Sequence, residues 1–177
     1  MNKWFLLVFL ITSLGFVSEE EKIVWQEGRK LTWADFKGTP NRGNDFVAST
    51  NSGVLFSFSY GERNGVPDLS YSISANFYPD LSWYKVDRVS PYILAHEQAH
   101  FDITELHARK LRKALSQLPH NREFKDKAST IYNDMEAARR EMQKQYDADS
   151  DHSNIKEAEY QWRAFIQQEL EALSAWK

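Results

Sequence analysis

The chain contains no cysteine. That excludes disulfide bridges, thiolate metal ligands and a lipid-modified cysteine, so any metal site must use nitrogen and oxygen donors. Glycine and proline are scarce, seven and five among 177 residues, and there is neither an internal repeat nor a low-complexity segment. No charge of one sign dominates: 22 Lys and Arg stand against 25 Asp and Glu, a formal net charge of -3. No basic run is dense enough for nucleic acid, and the cluster Arg109, Lys110, Arg112 and Lys113 reads as a solvated helix face. Long apolar runs are also missing, apart from Trp4 to Phe16, broken only by Thr12, Ser13 and Gly15. That run is short for a membrane span. Lys3 precedes it, and Glu19, Glu20 and Glu21 follow. The pattern predicts a secretory signal peptide over residues 1–18 and a single domain over 19–177, with a retained N-terminal anchor as the alternative. The expected location is secreted or periplasmic, without stable membrane insertion after cleavage.

What is present favours a packed globular protein: 42% apolar residues, 27% charged, and 14% aromatic with six tryptophans. Phe56 and Phe58 alternate with serines within 54–60, as do Leu69, Tyr71, Ile73, Ala75 and Phe77 within 69–78. A period of two with small polar residues on the other face predicts two strands of a sheet with one buried side. Residues 61–68 join them as a hairpin loop with Asn64-Gly65 at its tip. Three helical stretches follow. The first runs from Ser90 to Leu118, with Ser90 as N-cap, Pro91 at the first helical position, and Ile103, Leu106, Leu111 and Leu115 on one stripe. The second covers 122–146, the third 154–176, and a polar break over 147–153 separates them. The predicted fold class is α+β: a small antiparallel sheet followed by three long helices.

The first helix carries His96-Glu97-Gln98-Ala99-His100. Residues four apart lie one turn along the same face, so two imidazoles can converge on one ion about 2.0–2.1 Å from each nitrogen, the usual zinc–histidine distance. Glu97 stands to the side, where a general base for a water activated by the ion belongs. This makes it a zincin-like active-site helix. Catalytic zinc takes three protein ligands and keeps an open position, so a further ligand is needed. His107 is two turns beyond His100, roughly 10 Å along the axis, and reads as a surface residue. Asp102 and Glu105 are rotated away from the pair; either could orient an imidazole, Asp102 being the nearer. His120, His152 or a carboxylate on a later helix remain. His120 lies about 30 Å along the helix from His100, whereas His152 sits in a break that an up–down arrangement returns to the start of the first helix. Asp147, Asp149 and Asp151 surround it.

The stretches HEQAHFDITELHARKL, YDADSDHS and LTWADFKG together resemble a bacterial domain-of-unknown-function family predicted to be secreted zinc-dependent proteases. Its pattern joins a helical H-E-Q-x-H-F-D-I to a later Y-D-x-x-T-x-H-G. Tyr146, Asp147 and His152 match position by position, with Ser150 in place of the threonine and Ser153 in place of the glycine. The resemblance implies zinc and peptide hydrolysis, and it adds weight to His152 as the third ligand. The expectation is therefore an exported zinc-dependent metallopeptidase acting on a peptide or protein. His96, His100 and His152 would hold Zn2+, Glu97 would serve as general base, and Tyr146 would steady the oxyanion. Hydrolysis of an amide in the cell envelope is a variant of this reading. The alternative from another class is a non-catalytic extracytoplasmic binding or assembly module with a vestigial or structural metal site.

Overall fold

The computed structural model describes residues 20–41, 43, 45–64 and 66–177. The expected signal peptide, residues 1–18, lies outside the described residues. Strand β1 (Ile23–Val24) pairs with β4 (Val66–Phe77), which pairs along its full length with β3 (Ser52–Arg63), all antiparallel. A second, two-stranded sheet joins β2 (Ala48–Ser49) to β5 (Trp83–Tyr84). Three helices follow: α1 (Pro91–Leu115), α2 (Phe124–Ser150) and α3 (Lys156–Ala172). This is the α+β order expected, with two shifts of boundary. The hairpin strands run closer to their turn than the 61–68 loop allowed: Arg63 pairs with Val66, and Asn64 takes a φ of 54°, the left-handed conformation of a tight two-residue turn. Helix α2 also continues one turn past Tyr146 and absorbs Asp147 to Ser150, which read as a break because Asp and Ser are common in turns.

Helix α1 is the central element and packs against β3, β4, α2 and α3. The Ser90 hydroxyl accepts from the Ile93 N–H at 3.2 Å, and Pro91 sits at the first turn, where no N–H is needed. One side of the helix presents Phe101, Ala108, Leu111 and Leu115 to Ala75, Phe77 and Phe124. The other presents Ala99, Ile103 and Leu106 to Tyr146, Ile166 and Leu170. Phe77 is fully buried, with ring centroids 5.0 Å from Phe36 and 5.8 Å from Phe101. Truncating such a ring to alanine costs about 3–5 kcal/mol.

Because α1 is enclosed on so many sides, several of its polar residues are buried, and most of them are paired. The Leu31 N–H donates to Gln98 Oε1 at 2.7 Å, and Trp25 Nε1 donates to Asp102 at 2.7 Å, tying the N-terminal segment to the helix. Asp102 therefore orients Trp25 rather than a histidine. The basic cluster is not a solvated face throughout: Arg109 is buried, donating to Glu105 and to the Leu170 carbonyl, and Arg112 bridges Glu105 to the Ile73 and Trp176 carbonyls. Glu105 thus serves these arginines.

His107 is likewise buried rather than on the surface, with Nδ1 donating to the Ile103 carbonyl at 2.8 Å. Burial pushes its pKa down to about 4, only partly opposed by that hydrogen bond. The folded protein therefore keeps His107 neutral where an unfolded histidine takes up a proton. Stability consequently falls as pH drops from about 6.5 towards 4, by up to about 3 kcal/mol. Urea titrations of wild type and His107→Gln at pH 7.5 and 4.5 should show the stability difference between the two proteins narrowing by about 2 kcal/mol at the lower pH.

Candidate metal centre

His96 and His100 leave α1 one turn apart and face α2, where Asp147 in the last turn meets them. His96 Nε2 and His100 Nε2 are 3.3 Å apart, and Asp147 Oδ1 lies 3.3 Å from the first and 3.0 Å from the second. These three atoms could hold one metal ion. The triangle itself is informative. Donors about 2.0–2.1 Å from a tetrahedral centre stand about 3.3–3.4 Å from one another, so its edges are close to one face of a zinc coordination tetrahedron.

The other nitrogen of His96 explains why that atom is aimed so well. Nδ1 lies 3.0 Å from Glu159 Oε2, and Glu159, on α3, is fully buried. A carboxylate accepts only, so Nδ1 carries a hydrogen, and Nε2 is left facing His100 and Asp147, where a cation that displaces its proton would meet a lone pair. Tyr146 donates its hydroxyl to Glu159 Oε1 at 2.6 Å, and Arg163 Nε approaches the same oxygen at 3.3 Å. The Tyr146 ring stacks on His96 with centroids 4.7 Å apart. Tyr146 is itself fully buried, so its hydroxyl is committed to Glu159 and its ring to fixing His96.

The electrostatics favour a cation here. Burial opposes protonation of His96, but hydrogen bonds to Asp147 and Glu159 and the nearby charge of Glu97 outweigh it, lifting the pKa to about 9. Burial would raise Asp147, yet the bonds to His100 and His96 hold it well below the usual carboxylate range. Glu159 is held low in the same way by His96 and Tyr146 against its own burial. Three carboxylates converging on two imidazoles leave a surplus of negative charge that a proton or a divalent ion satisfies. Glu97 is the third: only 4% exposed, it lines the cavity, and its carboxylate has no hydrogen bond or ion pair among the described residues.

The turn after α2 shapes the rim. Asp151, His152 and Ser153 have φ values of 45°, 49° and 71°, three consecutive left-handed residues without a glycine. Each costs about 1–2 kcal/mol. Offsetting bonds run from the His152 N–H to the Asp147 carbonyl (2.9 Å), from the Ile155 N–H to the Ser150 carbonyl (2.8 Å), and from the Tyr92 hydroxyl to the Ser153 carbonyl (2.8 Å). His152 is carried to the mouth, its side chain 47% exposed, its ring tilted against Phe46 with centroids 4.6 Å apart, and Nδ1 3.6 Å from Asp147 Oδ1. The structure thus groups Asp147 with His96 and His100 and sets His152 at their edge. The cavity above them is about 420 Å³, and the segment from Asp45 to Thr50 forms its opposite wall. Glu159 went unnoticed in the sequence, although it stands on the inward stripe with Trp162, Ile166 and Leu170, where an unexplained carboxylate is the available signal.

Residues 34–153 match a family described as bacterial protein of unknown function, DUF922, and the matched range contains His96, Glu97, His100, Asp147 and His152. No curated protein and no solved structure matches the chain.

The geometry separates two assignments of the third ligand. Asp147→Ala should abolish stoichiometric metal uptake measured by equilibrium dialysis, whereas His152→Ala should change affinity by no more than a few-fold. Glu159→Gln should weaken binding by about 10–100-fold, because it leaves the imidazole less firmly oriented and less basic.

Proposed function

The chain belongs to the DUF922 family, and we propose that it is an exported zinc-dependent metallohydrolase acting on peptide bonds, with α1 as a zincin-like active-site helix. One observation carries this reading: Glu97, which lines the cavity without a hydrogen-bond partner for its carboxylate among the described residues, stands beside three donor atoms spaced for one ion. A general base awaiting its water is a use that accounts for a carboxylate left so. The donor set, two imidazoles and one carboxylate oxygen with no thiolate, suits zinc. His96, His100 and Asp147 would hold it, and in that place zinc supplies a Lewis acid that polarises a carbonyl and makes water more acidic.

The chain's own residues do the rest. Glu97 accepts the proton of the attacking water as its oxygen bonds to the carbonyl carbon. When the C–N bond breaks, Glu97 returns that proton to the departing amine nitrogen. Glu159 and Tyr146 keep His96 in one tautomer and orientation throughout. Strand β2 supports a peptide as substrate. Among the described residues it pairs only with β5, so one edge is left open, and Ala48 and Ser49 line the cavity. An extended peptide laid along that edge gains main-chain hydrogen bonds irrespective of its sequence.

Export is part of the proposal on the strength of the N-terminal sequence. No helix among the described residues is long and apolar enough to cross a membrane.

The test is Glu97→Gln, assayed on a denatured protein and on envelope fragments, with and without chelator. The variant should retain one zinc per chain and lose about 10²–10⁴-fold in hydrolysis, while His100→Ala should lose both metal and activity. Equal turnover by Glu97→Gln and wild type would falsify the mechanism. Absence of turnover by zinc-loaded wild type on either substrate would favour the binding or assembly module instead.

A further inference from the structure

A second cavity, of about 360 Å³, lies against the other face of α1. Leu94, Ala95 and Ala99 recur there at helical spacing, and Leu31 and Ile166 close the wall, so its interior is apolar. Its charged groups are Lys30, Asp102 and Arg163, two cations against one acid. Asp102 is fully engaged: Trp25 Nε1 and Gln98 Nε2 donate to one oxygen at 2.7 and 2.8 Å, and Lys30 Nζ lies 3.5 Å from the other. Arg163 is different. Its guanidinium sits 5.5 Å over the Tyr92 ring and 5.1 Å over Tyr160, and Nε is drawn to Glu159, so its position is held from three directions. Its two terminal nitrogens make no hydrogen bond among the described residues. A guanidinium fixed in this way, with that fork unspent, is prepared for the two oxygens of a carboxylate, and little side-chain entropy is lost on binding.

We propose that this cavity binds a small amphiphile with one carboxylate, its acyl or aryl body against Leu94, Ala95, Ala99 and Ile166 and its carboxylate on the terminal nitrogens of Arg163. The cavity contains none of the three donor atoms and does not depend on hydrolytic activity, although Arg163 also meets Glu159 behind His96. An apolar body fits the wall formed by Leu31, Leu94, Ala95, Ala99 and Ile166, and an anionic head fits a lining whose charged groups are two cations and one committed acid. The size is at the lower end of small-molecule sites.

The probes are octanoate, octan-1-ol and octylamine, titrated calorimetrically into the metal-loaded full chain. Octanoate should bind saturably at one per chain, octanol at least about tenfold more weakly, and octylamine not measurably. Arg163→Gln should reduce octanoate to the affinity of octanol. Ala95→Phe, which fills the cavity, should abolish binding of both. Gln167→Trp, at an exposed position on the mouth, should do the same and stands in for the half-buried Ala95 change if that prevents folding. Absence of saturable octanoate binding, octanol binding as tightly as octanoate, or octanoate affinity surviving both blocking variants (placing the carboxylate at the metal centre) would each overturn the proposal.

Discussion

The hydrogen bond from His96 Nδ1 to the fully buried carboxylate of Glu159 is the contact on which the rest of the site depends. A charge with no access to water is tolerated only if paired, and Glu159 is paired three times, by His96, Tyr146 and Arg163. Each partner comes from a different place: α1, the end of α2, and the next turn of α3. One carboxylate therefore registers all three helices against one another. The same bond sets the tautomer of His96 and turns Nε2 towards His100 and Asp147. Folding and site assembly are in this respect the same event, and α3, which supplies no donor to the triangle, is nevertheless indispensable to it.

The candidate metal centre is also where the structure accepts unfavourable terms. Three left-handed non-glycine residues follow α2, and the Glu97 carboxylate on α1 has no hydrogen-bond partner among the described residues. Strain and unpaired charge of this kind persist where the surrounding fold over-determines them, and they concentrate at working sites. Here the surroundings are specific. The turn is fastened by bonds to Asp147, Ser150 and Tyr92, and it delivers His152 to the cavity mouth while leaving Asp147 inside the last turn of the helix.

Much of this could be read from the amino-acid order, for physical reasons that are visible in the elements. The capped first helix and its histidine pair depend only on local rules, a serine N-cap, a proline at the first turn and a four-residue spacing, and local rules are written in consecutive residues. The serine-alternating hairpin is legible for the same reason, through its period of two. Membership of the bacterial family, too, could be anticipated from the motif pattern. Less legible were the features decided by packing. Asp147 lay in a stretch whose composition resembles a turn, so the extra turn of α2 that carries it inward was not apparent. His107 and Arg109 looked like surface residues because they flank charged neighbours, yet α1 is enclosed on so many sides that both are buried. Glu159 could be recognised only once α3 was seen against α1, since nothing in its immediate neighbours distinguishes it from the exposed glutamates Glu157 and Glu171.

The account's central claim is that one divalent ion sits between two imidazoles from α1 and one carboxylate oxygen from α2, with α3 holding the first imidazole from behind. The most direct test is a crystal structure of zinc-loaded protein with anomalous data at the zinc edge. The account predicts a single peak about 2.0–2.1 Å from His96 Nε2, His100 Nε2 and Asp147 Oδ1, with Glu159 still on His96 Nδ1. A peak ligated by His152 in place of Asp147, or no ordered zinc near His96, would contradict it.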